Sequence, residues 1–133
     1  MSGATAFTLR KRERLNSMTL IGRLFNEPGS RSITVFPVRA IYKTVETDDG
    51  EPAVRVLISV PKRKLHHAVD RNRVKRQLRE AYRNRKQQLI ETVESTDNRQ
   101  LLLAFVWLDE EVKTTAEVKK CSERLINRII ESL

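Results

Sequence analysis

Apolar residues recur along this chain with three different rhythms, and each predicts a different element. Around a cap at Asn16 or Ser17, Leu15, Met18, Ile21, Leu24 and Phe25 return every three or four positions, the period of one helix face, which predicts a short helix ending at Phe25. Glu27-Pro28-Gly29-Ser30-Arg31 stops it, because proline and glycine do not extend a helix. From Ser32 to Lys43 the residues are β-branched and aromatic and predict a strand, with Pro37 dividing it in two and favouring an edge position or a bulge. ETDDGEP, residues 46–52, has Asp-Gly turn chemistry, and AVRVLISV after it alternates Val54, Val56, Ile58 and Val60 on one face, so a hairpin is expected. LLLAFVWL, residues 101–108, is apolar on both faces and predicts a buried central strand. Thr114-x-x-Glu117 then offers a capping box to a last helix whose stripe holds Val118, Cys121, Leu125 and Ile129 and extends to Ile126 and Leu133.

Between the predicted hairpin and the central strand lies RNRVKRQLREAYRNRK, residues 71–86. At roughly 100° per residue, Leu78, Ala81 and Tyr82 fall within about 80° of Val74 and form a stripe to be buried. Asn72, Lys75, Arg76, Arg79, Arg83 and Lys86 fall between roughly 100° and 200° and form a basic stripe to be exposed. The resulting order predicts an α+β sandwich of one domain over residues 1–133: three helices, a mixed and mostly antiparallel sheet of about four strands, and a βαβ crossover through the basic helix. Residues 1–8 are expected to be mobile.

Charge sharpens that picture. The 133 residues include 26 Lys and Arg against 17 Asp and Glu, a formal charge of +9 with a sequence pI near 10.2, which calls for a polyanionic partner. Residues 61–86 hold eleven of those bases and two of the acids, Asp70 and Glu80, so the rest of the chain is balanced. The excess is local, as a binding footprint is. Cys121 is the single cysteine and cannot form an intramolecular disulfide, and no Cys/His spacing suits zinc, so a reducing compartment is expected. The amino terminus lacks a secretory pattern and begins Met-Ser-Gly rather than Met-Gly, and no run of 18 apolar residues occurs. A cytoplasmic protein without a membrane partner is the expectation.

A basic stripe of this kind has three readings. A solvated face would intersperse Glu at i,i+4, yet only Glu80 does so and the like charges repel. A membrane-surface helix would carry bulkier apolar residues than Val, Leu, Ala and Tyr. Nucleic acid fits best, since arginine forks phosphate oxygens and lysine serves as a point charge. Charge alone does not choose RNA over DNA. His66-His67, before the helix, make a poor cap; a phosphate contact or simple exposure suits them better than a metal site, since no His/Asp/Glu cluster completes one.

The spacing of Ser59-Val60, Lys62-Arg63, Ala68-Val69, Arg71-Asn72-Arg73, Lys75-Arg76 and Arg79 resembles the signature of the protein subunit of bacterial ribonuclease P. The likeness spans about residues 10–133, from Arg14-Leu15 through the strands before the motif to the strand and helix after it. It departs from the family where His66-His67 replace a common Gly-Asn and where Ile21 stands at a position often aromatic. The resemblance implies a ribosomal-protein-like sandwich with a left-handed crossover. It also implies a cofactor of a ribozyme, whose RNA subunit, with its Mg²⁺, hydrolyses precursor tRNA to free the mature 5′ end. No catalytic or metal-ligating residue falls to the protein, and no protein partner is required. RNA-binding residues would be Lys62, Arg63, Lys64, Arg71, Asn72, Arg73, Lys75, Arg76, Arg79 and Arg83. Ile21, Phe25, Phe36 and Arg14 would line a cleft between sheet and first helix for the single-stranded 5′ leader, although as residue types the three apolar ones suit a core equally well. The competing functions are a general structured-RNA-binding protein of ribosomal type and a metal-dependent nuclease acting unaided, for which no carboxylate pair or triad is present.

Overall fold

The structure is a computed structural model that describes residues 11–48, 50–96 and 99–133; the expectation for residues 1–8 lies outside them. A 3₁₀ turn, Lys11–Glu13, leads to α1, Met18–Asn26, whose cap is Ser17, its hydroxyl accepting from the Leu20 N–H at 3.4 Å. Strands β1 (Arg31–Val35), β2 (Val38–Glu46) and β3 (Val54–Ser59) follow, then α2 (Ala68–Glu94), β4 (Arg99–Trp107) and α3 (Thr115–Ser132). The predicted capping box at Thr114 and Glu117 is complete in both directions. The basic helix is longer than its charged segment, running to Glu94 over 27 residues.

The sheet has the order β1-β2-β4-β3, with β2 antiparallel to both neighbours and β3 parallel to β4, so α2 is the crossover between the parallel pair. The hairpin expected across ETDDGEP does not form. β4 is inserted between β2 and β3, and the hairpin is instead β1–β2, turning at Phe36-Pro37 around a cis peptide. Two properties explain the difference. Pro37 has no N–H to give a ladder and so sits at the turn, and β4, apolar in every residue from Leu101 to Trp107, takes a strand on each side.

Period-two alternation divides β4 between two layers. Leu101, Leu103, Phe105 and Trp107 meet α2 and α3 in the main core, where Tyr82 stands edge-on to Phe105 with ring centroids 6.2 Å apart. Leu102 and Ala104 face the other way into a smaller cluster with Leu15, Leu24 and Val45. From α2, Val74, Leu78, Ala81 and Tyr82 are buried as the helical period predicts. From α3, Val118, Cys121, Leu125, Ile126 and Ile129 are buried, whereas Leu133, expected on the same stripe, lies past the last turn and is exposed.

Lys86 departs most from its expected place. Predicted on the exposed stripe, it is 2% exposed and its Nζ contacts both carboxylate oxygens of Glu13, at 3.1 and 2.9 Å. Its angular position, about 120° from Val74, borders the buried stripe, and the segment before α1 closes over that flank. Replacing Leu102 by Ala in the small cluster under α1 is expected to lower stability by about 3 kcal/mol, read as a shifted urea midpoint at unchanged slope.

Candidate nucleic-acid interface

Two surfaces hold most of the residues singled out by sequence, and they meet at the edge of β3. The first is the turn after β3 with the outer face of α2. The turn closes on Pro61, whose carbonyl accepts from the N–H groups of Lys64, at 3.0 Å, and Leu65, at 3.2 Å, and Leu65 is buried beneath it. That anchor leaves Lys62 and Arg63 exposed. On α2, Asn72, Arg73, Arg76 and Arg79 are exposed and Lys75 is half-buried. Among the described residues, none of these five side chains has an ion-pair or hydrogen-bond partner, and Lys62, Arg63 and Lys64 likewise have none. Arg83 is paired with Glu80, and Arg85, about 20° from Val74, reaches Glu123 of α3 at 3.4 Å.

Arg71 differs from its neighbours in the motif. Its guanidinium donates to the carbonyls of Leu65, at 3.0 Å, and His66, at 2.8 Å, fastening the turn to the first turn of α2. That bond matters because His67, the cap residue, contributes no side-chain cap. Both histidines are exposed.

The second surface is the sheet face that α1 only partly covers. Register sets three rows across the strands on that face. Lys43, Leu102 and Arg55 form one row, Ser32, Ile41, Ala104 and Leu57 the next, and Thr34, Arg39, Val106 and Ser59 the last. Burial falls along them: Leu102 and Ala104 are covered, while Thr34 and Arg39 are exposed and Val106 and Ser59 half-exposed. α1 contributes Leu20, Ile21 and Leu24 to the covered end. Its Met18 and Phe25, 82% and 43% exposed, line up with Ile21 along one side of the helix, an apolar wall beside an open floor.

Ile21 and Phe25 thus border one groove. Phe36, 64% exposed, lies roughly 13 Å further along the strands and shares a cavity of about 300 Å³ with Lys120, Cys121 and Arg124 of α3 rather than with the side chains of α1. Arg14 is exposed on the β3 side, where its backbone pairs with Val56, and it lines a cavity of about 180 Å³ together with Arg79. Sequence reasoning passed over Arg39, which stands exposed in the open row with its Nε donating to the Ser32 hydroxyl at 2.8 Å. The signal was present: Val38, Ala40 and Tyr42 are buried, and alternation puts Arg39 and Ile41 on the opposite face.

Other chemistry is sparse. Cys121 is buried, its thiol donating to the Val35 carbonyl, and burial pushes its pKa up, away from the reactive thiolate. Among the described residues no three His, Cys, Asp or Glu converge as metal ligands, and no helix is long and apolar enough to cross a membrane.

Known proteins resemble this chain over two thirds of its length or more. The family model described as Ribonuclease P matches residues 9–129. The Ribonuclease P protein component of Chlorobium phaeobacteroides is 44% identical over 91 residues, which span 67% of this chain and 61% of that relative's length. That of Porphyromonas gingivalis is 31% identical over 131 residues, 97% of this chain and 91% of its own. Among solved structures, the Staphylococcus aureus RNase P protein superposes with a TM-score of 0.62 over 88% of this chain and 94% of that one, at 17% identity, a likeness of fold.

The two kinds of arginine in the motif should respond differently to deletion. Arg76→Ala or Arg79→Ala is expected to leave the melting temperature within a degree or two and to flatten the salt dependence of RNA binding by about one logarithmic unit per lost phosphate contact. Arg71→Ala should instead destabilise the fold by about 1–2 kcal/mol, because two carbonyls lose a charged donor. Melting curves and filter binding at several salt concentrations separate the two outcomes.

Proposed function

The chain belongs to the ribonuclease P protein family, and from that membership we propose that it is the protein component of a ribonuclease P holoenzyme acting in the maturation of the tRNA 5′ end. In this reading α2 and the Pro61–Lys64 turn bind the catalytic RNA subunit, and the open sheet face beside α1 holds the 5′ leader of precursor tRNA. The observation that carries it is the outer face of α2, where Lys75, Arg76 and Arg79 stand together with no carboxylate among the described residues paired to them. Such a face is self-repelling until phosphates neutralise it. With about six phosphates engaged, log K should fall with log salt at a slope of roughly −4 to −5.

The leader surface works by different forces. An unpaired strand binds where bases stack on apolar or aromatic side chains beside positive charge. Phe25 and Ile21 supply the wall, Val106 and Ile41 the apolar floor, and Arg39 and Arg14 the charge. Phe36 offers a further exposed ring beyond the end of the floor. In this reading the hydrolysis itself belongs to the RNA subunit and its Mg²⁺, as the family resemblance implies. The protein's part is to lower phosphate repulsion where RNA subunit and substrate meet and to hold the leader in register.

Reconstitution tests the proposal. The protein alone should cleave nothing; with a bacterial ribonuclease P RNA and Mg²⁺ it should yield 5′-matured tRNA at Mg²⁺ concentrations too low for the RNA alone. Tight binding to ribosomal RNA with no effect on precursor processing would point to a general RNA-binding protein instead. Phe25→Ala should reduce the holoenzyme's preference for precursor over mature tRNA by about tenfold, the worth of one stacked base. A Phe25→Ala holoenzyme that discriminates as well as wild type removes the groove beside α1 from the leader path.

A further inference from the structure

The leader groove and the basic helix belong to different layers, and one small feature joins them. At the outer edge of β3 a cavity of about 180 Å³ is lined by Arg14, Leu15, Asn16, Val56, Leu57, Ile58 and Arg79. Two arginines border it and no acid does. Neither guanidinium has an ion-pair partner among the described residues, and the carboxylates adjacent in sequence are engaged elsewhere. Glu80, next to Arg79, pairs with Arg83, and Glu13, next to Arg14, is turned inward to Lys86. Two like charges facing one concavity repel unless an anion sits between them.

We propose that Arg14 and Arg79 together seat one RNA phosphate at this edge, and that the buried Glu13–Lys86 ion pair is the positioning device that keeps Arg14 there. This rests on the RNA-binding reading above and specifies where its two surfaces connect. Arg14 itself lies just past the 3₁₀ turn Lys11–Glu13 and before α1, joined to β3 only by an isolated bridge at Val56. Its segment is held by the Leu15 N–H donating to the Val56 carbonyl at 2.8 Å, by Arg55 donating to the Arg12 carbonyl at 2.8 Å, and by Glu13 contacting Lys86 through both oxygens. Glu13 and Leu15, alternate residues, are turned into the protein, and Arg14 between them is turned out. A shift of one residue would bury Arg14 and expose Glu13. An apolar pair could pack in the same space, but only a charged pair with fixed partners penalises that slip strongly, because it would leave Lys86 buried without the carboxylate.

The consequence is continuity of charge. The cavity touches Leu57, which lies in the middle row of the leader floor, and Arg79, which lies on the basic face of α2. A phosphate bound here would be the crossing point between the strand on the sheet and the RNA on the helix. It could come from the RNA subunit or from the precursor, and the two sources give different readouts.

The experiment is a set of double-mutant cycles read in two arms: affinity of the protein for the RNA subunit, and affinity of the holoenzyme for precursor relative to mature tRNA, each at several salt concentrations. Arg14→Ala should weaken one arm about tenfold and flatten its salt slope by about one; the arm that moves names the source of the phosphate. Combining Arg14→Ala with Arg79→Ala should cost less than the product of the separate losses. Glu13→Gln should reproduce the Arg14→Ala slope, and adding Arg14→Ala to it should change nothing further. The reversed pair, Glu13→Lys with Lys86→Glu, should restore the slope and decides the matter if Glu13→Gln alone unfolds the chain. Multiplicative losses for Arg14 and Arg79 would overturn the shared seat. A Glu13→Gln protein that is less stable but keeps the wild-type slope would overturn the positioning role. If Arg14→Ala changes neither arm while Arg76→Ala still flattens RNA binding, the seat is wrong and the RNA reading stands; if neither variant changes anything, the RNA reading itself fails.

Discussion

β4 is the constraint from which the rest of the architecture follows. A strand apolar on both faces and bonded on both edges must be covered above, below and to each side. Its edges are taken by β2 and β3, its main face by α2 and α3, and its other face by α1 with Leu15. Because β3 and β4 are parallel, the chain between them must cross over the sheet, and α2 is that crossover. The basic helix is therefore laid across the sheet by the need to bury Leu101, Leu103, Phe105 and Trp107, and its charge faces outward as a result. The electrostatic surface is a by-product of where the hydrophobic strand has to go.

α1 is too short, at nine residues, to cover the whole second face. It protects the rows around Leu102 and Ala104 and leaves the row of Thr34, Arg39, Val106 and Ser59 open. Incomplete cover is a liability in a structural role, since half-buried apolar residues such as Ile41 and Val106 stay near water. It becomes an asset if a strand of RNA bases completes the layer. Phe25 and Met18, exposed along the side of α1, extend the same apolar strip beyond the sheet.

Periodicity made most of these elements legible and left their partners unread. Val74, Leu78, Ala81 and Tyr82 could be placed in the core from spacing alone, and so could the capping box at Thr114, because both depend on residues within one helix. The hairpin across ETDDGEP looked sound for the same local reasons, yet β2 and β3 are separated by a strand more than forty residues later in the chain. Turn chemistry reports a reversal of direction and says nothing about what is inserted between the strands. Lys86 failed in the same way: its angular position was right, but the segment that covers it comes from Glu13, 73 residues away. The resemblance of the motif named the family where charge could name only a polyanion, and it could not show that Phe36 stands apart from Phe25.

The motif itself divides when its geometry is considered. Arg71 and Arg73 are two residues apart, so on a helix they point about 200° from each other and cannot serve one flat surface together. Arg71 turns back onto the Leu65 and His66 carbonyls, and Arg73 turns out to solvent. One arginine of the Arg-Asn-Arg triplet builds the start of the helix and the other is available to a ligand. A substitution at Arg71 that weakens RNA binding therefore does so by loosening the turn that presents Lys62 and Arg63, and its loss should grow with temperature as the turn frays. A loss at Arg73 or Arg76 should grow instead with falling salt, where phosphate contacts contribute most. Temperature and ionic strength thus distinguish residues that an identical side chain and a shared motif make look alike.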